Sequence, residues 1–301
     1  MIRLNAVLGK EITTRMRGWR AAAVITAYLT LLALVSLLTL NGFNTPSTYS
    51  ESARVGQTLF LLLASFQMAL ILFITPPSTA DAISGERQRQ TLELLLVTRL
   101  SSLSIVLGKL VAGLAFDVLL IACSLPLFSL VFLFGGVDPS TFISVFVIFL
   151  ATTLLIGSLS LFISTIMRRS GASVIVSLLC TLALTVGLLL LTFYLILSVA
   201  NSGGATTGAV PSLPFVAYLD PLAGFIAALA SNTSAFSNAS YFTGGPLNLA
   251  FWADQAIVDV ILSALLILGS VRLLRPRWAP RRRPAAPAAP AVAVATTGGE
   301  A

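Results

Sequence analysis

Six stretches of this chain, at about residues 21–40, 57–75, 104–134, 141–166, 172–199 and 253–273, are apolar with little interruption and end at charge, Gly or Pro. A hydrocarbon layer of about 30 Å is crossed by about 20 apolar residues in a helix, which satisfies every backbone polar group internally. The chain therefore reads as an all-α membrane protein with six transmembrane helices. With 57% hydrophobic and only 10% charged residues, a soluble fold would lack the polar surface it needs. The first run exceeds the usual ~7–15 residue signal core and no A-x-A-like site follows it, so it is expected to remain as an anchor.

Lys and Arg set the expected orientation, because cytoplasmic flanks retain them. Arg3, Lys10, Arg15, Arg17, Arg20, Arg87, Arg89, Arg99, Lys109, Arg168, Arg169, Arg272, Arg275, Arg277, Arg281, Arg282 and Arg283 all fall on one side of a six-span topology, and Arg54 alone on the other. Both termini and the segment between spans two and three are expected in the cytoplasm. The net charge of +7 is explained by this asymmetry, not by nucleic-acid binding, since no basic patch with interleaved aromatics exists.

Two stretches outside the spans carry helical apolar periodicity. Leu4, Leu8, Ile12, Met16 and Trp19 predict an amphipathic interfacial helix over residues 1–20. Leu92, Leu95, Leu96, Leu100 and Leu103 predict a second one before span three, with Arg89, Gln90, Glu93 and Arg99 off its apolar face. Pro76 and Pro77 are expected to end the preceding span, and Ser101 or Ser102 to cap the next. On the outer side, residues 215–230 are too short to span comfortably and are interrupted by Asp220-Pro221, which predicts a re-entrant or interfacial hairpin packed on protein. Residues 21–275 thus form the membrane domain. Residues 276–301 read as a disordered cytoplasmic tail, Pro/Ala-rich after a basic stretch that either sits against lipid headgroups or is a plain stop-transfer flank.

Several chemistries are excluded. The chain has no histidine, which removes Ser-His and Cys-His catalysis, and Cys123 and Cys180 lie apart inside apolar runs as small hydrophobes. Neither Gly9-Lys10 nor Gly108-Lys109 belongs to a G-x-x-x-x-G-K-[ST] phosphate loop, so ATP used by this protein is bound by another chain. The intramembrane polar candidates are Asp117 in span three and Gln255 and Asp259, one turn apart, in span six. Thr153, Gly157, Ser160 and Ser164 of span four, and Ser173, Ser177, Thr181 and Thr185 of span five, form small-residue faces suited to close helix packing.

The stretch ERQRQTLELLLVT, Glu86 to Thr98, followed by LSSLSIVLGK, Leu100 to Lys109, resembles the signature of the ABC-2 family of ABC transporter permeases. Glu86, Arg87, Thr91, Leu92, Glu93, Leu95, Leu96, Thr98, Ser101, Gly108 and Lys109 carry the match, while Thr98-Arg99 stands where many members have Thr-Pro. The resemblance implies an exporter subunit in a prokaryotic inner membrane that pairs with a second permease chain, identical or related. It also implies a cytosolic ABC ATPase that binds ATP and magnesium, with no cofactor in this chain. Glu86, Arg87, Thr91 and Glu93 would be the ATPase-coupling residues of a coupling helix. Two other readings stand beside it: an anchor subunit of an ATPase-dependent cell-surface machine, and an ion-coupled secondary transporter.

Overall fold

The structure, a computed structural model, describes residues 19–42, 48–90, 102–201, 215–230 and 250–274. The expected amphipathic helix over residues 1–20, apart from its last two residues, lies outside these, as do most of the segment 89–103 and the tail. All the described elements are helical. α1 is Trp19–Gly42, α2 Tyr49–Gln88, α3 Ser102–Phe134 and α4 Pro139–Ile166. α5, Ser170–Leu182, continues through a π turn at Ala183–Gly187 into α6, Leu188–Asn201. A 3-10 turn at Phe215–Leu219 leads to α7, Pro221–Ala230, and α8 is Phe251–Leu274. With α5 and α6 counted as one, six helices are long and apolar enough to cross a membrane.

α2 departs most from its expected bounds. It begins eight residues before position 57 and runs 13 residues past Thr75, carrying Pro76 and Pro77 in its interior. The expectation that these prolines end the span is overturned. A proline ring fixes φ near the helical value but removes an N–H bond and crowds the carbonyl four residues back, costs that membrane helices tolerate where neighbouring helices re-satisfy the freed groups. Pro76, Thr79 and Ala80 are buried against other helices, and just past the prolines the Ser78 and Thr79 hydroxyls donate to the Thr75 carbonyl at 2.8 and 3.0 Å.

α2 and α4 are the most buried spans and α1 and the fifth the least. Their shared core holds Leu59, Phe60, Leu63, Met68, Phe128, Ile148, Phe149 and Phe225. The aromatic rings run in sequence from α2 through α3 and α4 to α7: Phe60 to Phe128 at 6.0 Å, Phe128 to Phe146 at 5.2 Å, Phe146 to Phe149 at 5.5 Å and Phe149 to Phe225 at 5.9 Å. Such edge-to-face and offset pairs add to burial by about 0.5–1.5 kcal/mol each. The small-residue faces lie inside: Thr153, Gly157, Ser160 and Ser164 on α4, and Ser173, Ser177, Thr181 and Thr185 along the fifth span, are all buried. Gly135 and Gly136, with φ of 74° and 84°, turn the chain from α3 to α4 in a backbone region that disfavours other residues. The Gly136 carbonyl accepts a bond from Gln57 Nε2 at 3.0 Å, which ties this turn to the start of α2.

Candidate functional site

The last turn of α2 ends in three consecutive polar residues, and each one reaches a different helix. Lys109 of α3 is 5% exposed and donates through Nζ to Glu86 Oε1 at 2.6 Å. Arg87 donates from Nη1 to the Met167 carbonyl at 3.0 Å and from Nη2 to the Thr165 carbonyl at 2.9 Å, at the C-terminal end of α4. The carbonyls of a last helical turn lack partners within the helix and carry the negative end of its dipole, so a guanidinium satisfies both needs. Gln88 accepts through Oε1 from the Ser170 amide at 3.1 Å, at the N-terminus of α5, where free N–H groups require acceptors.

One turn earlier the contact continues. Ser164 Oγ of α4 accepts from the Ile83 and Ser84 amides at 3.1 and 2.9 Å, and Ser173 of α5 donates to the Ala80 carbonyl at 2.8 Å. Close approach requires small residues here: a Cβ on Gly113 would stand 2.7 Å from Thr79 Cγ2. The end of α2 is thus held to α3, α4 and α5 by side-chain hydrogen bonds. Beyond it, Gln90 takes a left-handed conformation, φ 59°, which ends the helix.

Of the four residues expected to couple to an ATPase, Glu86 and Arg87 stand in this clamp with their side chains turned to neighbouring helices, whereas Thr91 and Glu93 lie outside the described residues. Asp117 sits on the same side of α3 as Lys109, also facing α2, with Oδ2 3.0 Å from the Ser78 hydroxyl. Nearby, the Tyr28 hydroxyl of α1 donates to Gln67 of α2 beside a cavity with room for about one water, lined also by Thr75 and Asp117. Gln255 and Asp259 belong to a separate polar cluster, with Gln255 Nε2 donating to Asp259 Oδ1 at 3.1 Å. Sequence reasoning missed the pairing of Lys109 with Glu86, the roles of Gln88 and Ser164, and the approach of Asp220 to Asp259. The Val-Leu-Gly-Lys run at Val106–Lys109 flagged Lys109 without naming its partner. Among the described residues, no group of three or more His, Cys, Asp or Glu is placed to hold a metal ion.

A family model described as ABC-2 family transporter protein matches residues 5–278. The chain belongs to the ABC-2 family. The match spans all six candidate membrane helices and the segment outside the described residues that holds Thr91 and Glu93. A search of curated proteins found no match. Membership makes this ABC-2 chain a multi-pass membrane component of a transporter, a kind of subunit that is not itself catalytic. The expectation of an ABC permease from the Glu86–Lys109 signature agrees with this finding.

Proposed function

We propose that this chain is the membrane subunit of an ATP-driven exporter, working as a dimer in a prokaryotic inner membrane with a separate cytosolic ATPase. ATP and magnesium are bound by that partner. The observation that carries the mechanism is the clamp: Glu86, Arg87 and Gln88 fasten one helix end to three spans. A displacement of the segment that follows, residues 91–101, is delivered at once to α3, α4 and α5. On this reading Thr91 and Glu93 touch the ATPase, while Glu86 and Arg87 transmit the movement without touching it. A transmitted push needs stiff connections, and charge-assisted bonds at 2.6–3.0 Å in a partly buried setting are among the strongest polar contacts available.

The test is co-expression with the cognate ATPase, followed by co-purification and permease-stimulated ATP turnover in vesicles. Glu93→Lys is expected to reduce association, because a mispaired charge at a protein contact is costly. Glu86→Gln and Arg87→Met are expected to retain association and lose most of the stimulated turnover. Unchanged stimulation in both would sink the transmission role. ATP turnover by the isolated chain would overturn the division of labour.

A further inference from the structure

From Ser170 to Val271 the chain contains no Lys, Arg or His, yet it contains Asp220, Asp254 and Asp259. All three are buried, as is Gln255, with no more than 1% of any residue exposed. Asp220 caps α7, where its Oδ1 accepts from the Leu222 amide at 3.0 Å and Pro221 occupies the first helical position. α7 packs on α8 so closely that a Cβ on Gly224 would stand 2.5 Å from Gln255 Cγ. This brings Asp220 within electrostatic range of Asp259.

Hydrogen-bond donors are short in this cluster. Among the described residues, Asp220 Oδ2, Asp259 Oδ2 and Gln255 Oε1 are buried oxygens without a hydrogen-bond partner, and the Gln255 amide that carries one of them is already fixed on Asp259 through its nitrogen. An ionised carboxylate only accepts, whereas a protonated one also donates. One proton on either carboxyl removes a buried charge and supplies a donor that the surrounding oxygens lack. We propose that the Asp220–Gln255–Asp259 cluster is a proton-binding site that fastens α7 to α8. The described side chains offer two carboxylates and one amide oxygen, fewer than the six to eight oxygens that calcium takes.

Among the described residues, no neighbouring element supplies a compensating cation. The 3-10 turn carries Tyr218, which faces Asp254 of α8, and the α6 helix behind it carries Tyr194. Neither α4 nor the π turn has a titratable residue. On α3, which also packs on α8, Lys109 and Asp117 are directed to α2. In sequence, residues 202–214 and 231–249 contribute no Lys, Arg or His. Burial pushes the Asp220 carboxyl up to about 7 from its ordinary 3.8, against the opposing amide bonds from Leu222 and Ala223. A carboxyl raised in this way stabilises the fold at low pH, and that contribution is lost as pH rises through about 7.

This inference is independent of the ATPase reading. Its test is melting of the full chain in detergent from about pH 5 to about pH 9, with infrared spectra of protein labelled at its aspartate carboxyls. Wild type is expected to melt several degrees lower at the alkaline end and to lose a protonated-carboxyl band over the same range. Asp220→Asn and Asp259→Asn, which mimic the neutral form, are expected to flatten the melting profile and remove the band. A wild-type spectrum without a protonated aspartate near neutral pH overturns the proposal whether or not the variants fold. So do Asn variants that fold and keep the wild-type profile. Sodium or calcium chloride that stabilises wild type at alkaline pH, but not the variants, also overturns it by assigning the site to a metal cation.

Discussion

Lys109 and Glu86, on helices whose only link in sequence passes through residues 89–101, meet at 2.6 Å with the ammonium almost wholly buried and the carboxylate a quarter exposed. In such a pair, loss of one partner is worse than loss of both. Lys109→Met is expected to cost about 3 kcal/mol, the lower end for a buried pair because Glu86 keeps some solvent. The double variant Lys109→Met/Glu86→Gln is expected to recover most of that loss. Thermal melting of the four members of the cycle checks it, and equal losses in the single and double variants would contradict the pairing.

Ser164 serves two backbone amides of another helix with one oxygen. Ser164→Ala is expected to cost about 0.5–1.5 kcal/mol, the net worth of a lost cross-helix hydrogen bond, since Ile83 and Ser84 lie inside α2. Hydrogen exchange at Ile83 and Ser84 should accelerate, while amides near Leu59 should not change.

Two glycines in tight contacts should respond differently to the same methyl group. At Gly157 a Cβ would meet the tip of Leu114 at 2.5 Å, and a leucine tip can rotate away. At Gly113 it would meet Thr79 Cγ2, on a β-branched side chain whose hydroxyl is fixed to the Thr75 carbonyl. Gly113→Ala is therefore expected to cost about 1–3 kcal/mol and Gly157→Ala less, as measured by melting.

Gln90 is exposed and left-handed, so its replacement tests the backbone alone. Gln90→Gly is expected to raise stability by about 1 kcal/mol, and Gln90→Val to lower it by a similar amount. If both variants melted with wild type, the turn after α2 would carry no strain.

Apolar runs made the six spans legible because each is set by local composition, and their ends agree with the structure to within two residues except in α2. There the sequence misled for a definite reason. Pro76, Pro77 and the following polar residues resemble a helix end, whereas the contacts that hold the helix to Gln88 come from Ser164, Thr165, Met167 and Ser170, about 80 residues later. The candidate site was legible to the same degree. Glu86 and Arg87 stood out through the resemblance to the ABC-2 signature, but which helix each would reach is a tertiary fact. The facing of Gln255 and Asp259 followed from their four-residue spacing. The arrival of Asp220 beside them depends on a fold-back that no local pattern encodes.

The separation of these partners along the chain has a consequence during synthesis. Arg87 and Thr165 are 78 residues apart, and Gln88 and Ser170 are 82 apart. At about 5–20 residues per second, roughly 4–16 s pass between translation of the end of α2 and translation of its partners. For that interval the second helix has neither of these contacts, and its polar end depends on water, lipid headgroups or a chaperone. Quality control therefore has a window in which an unfinished chain looks defective, and slow codons between residues 90 and 165 would widen it.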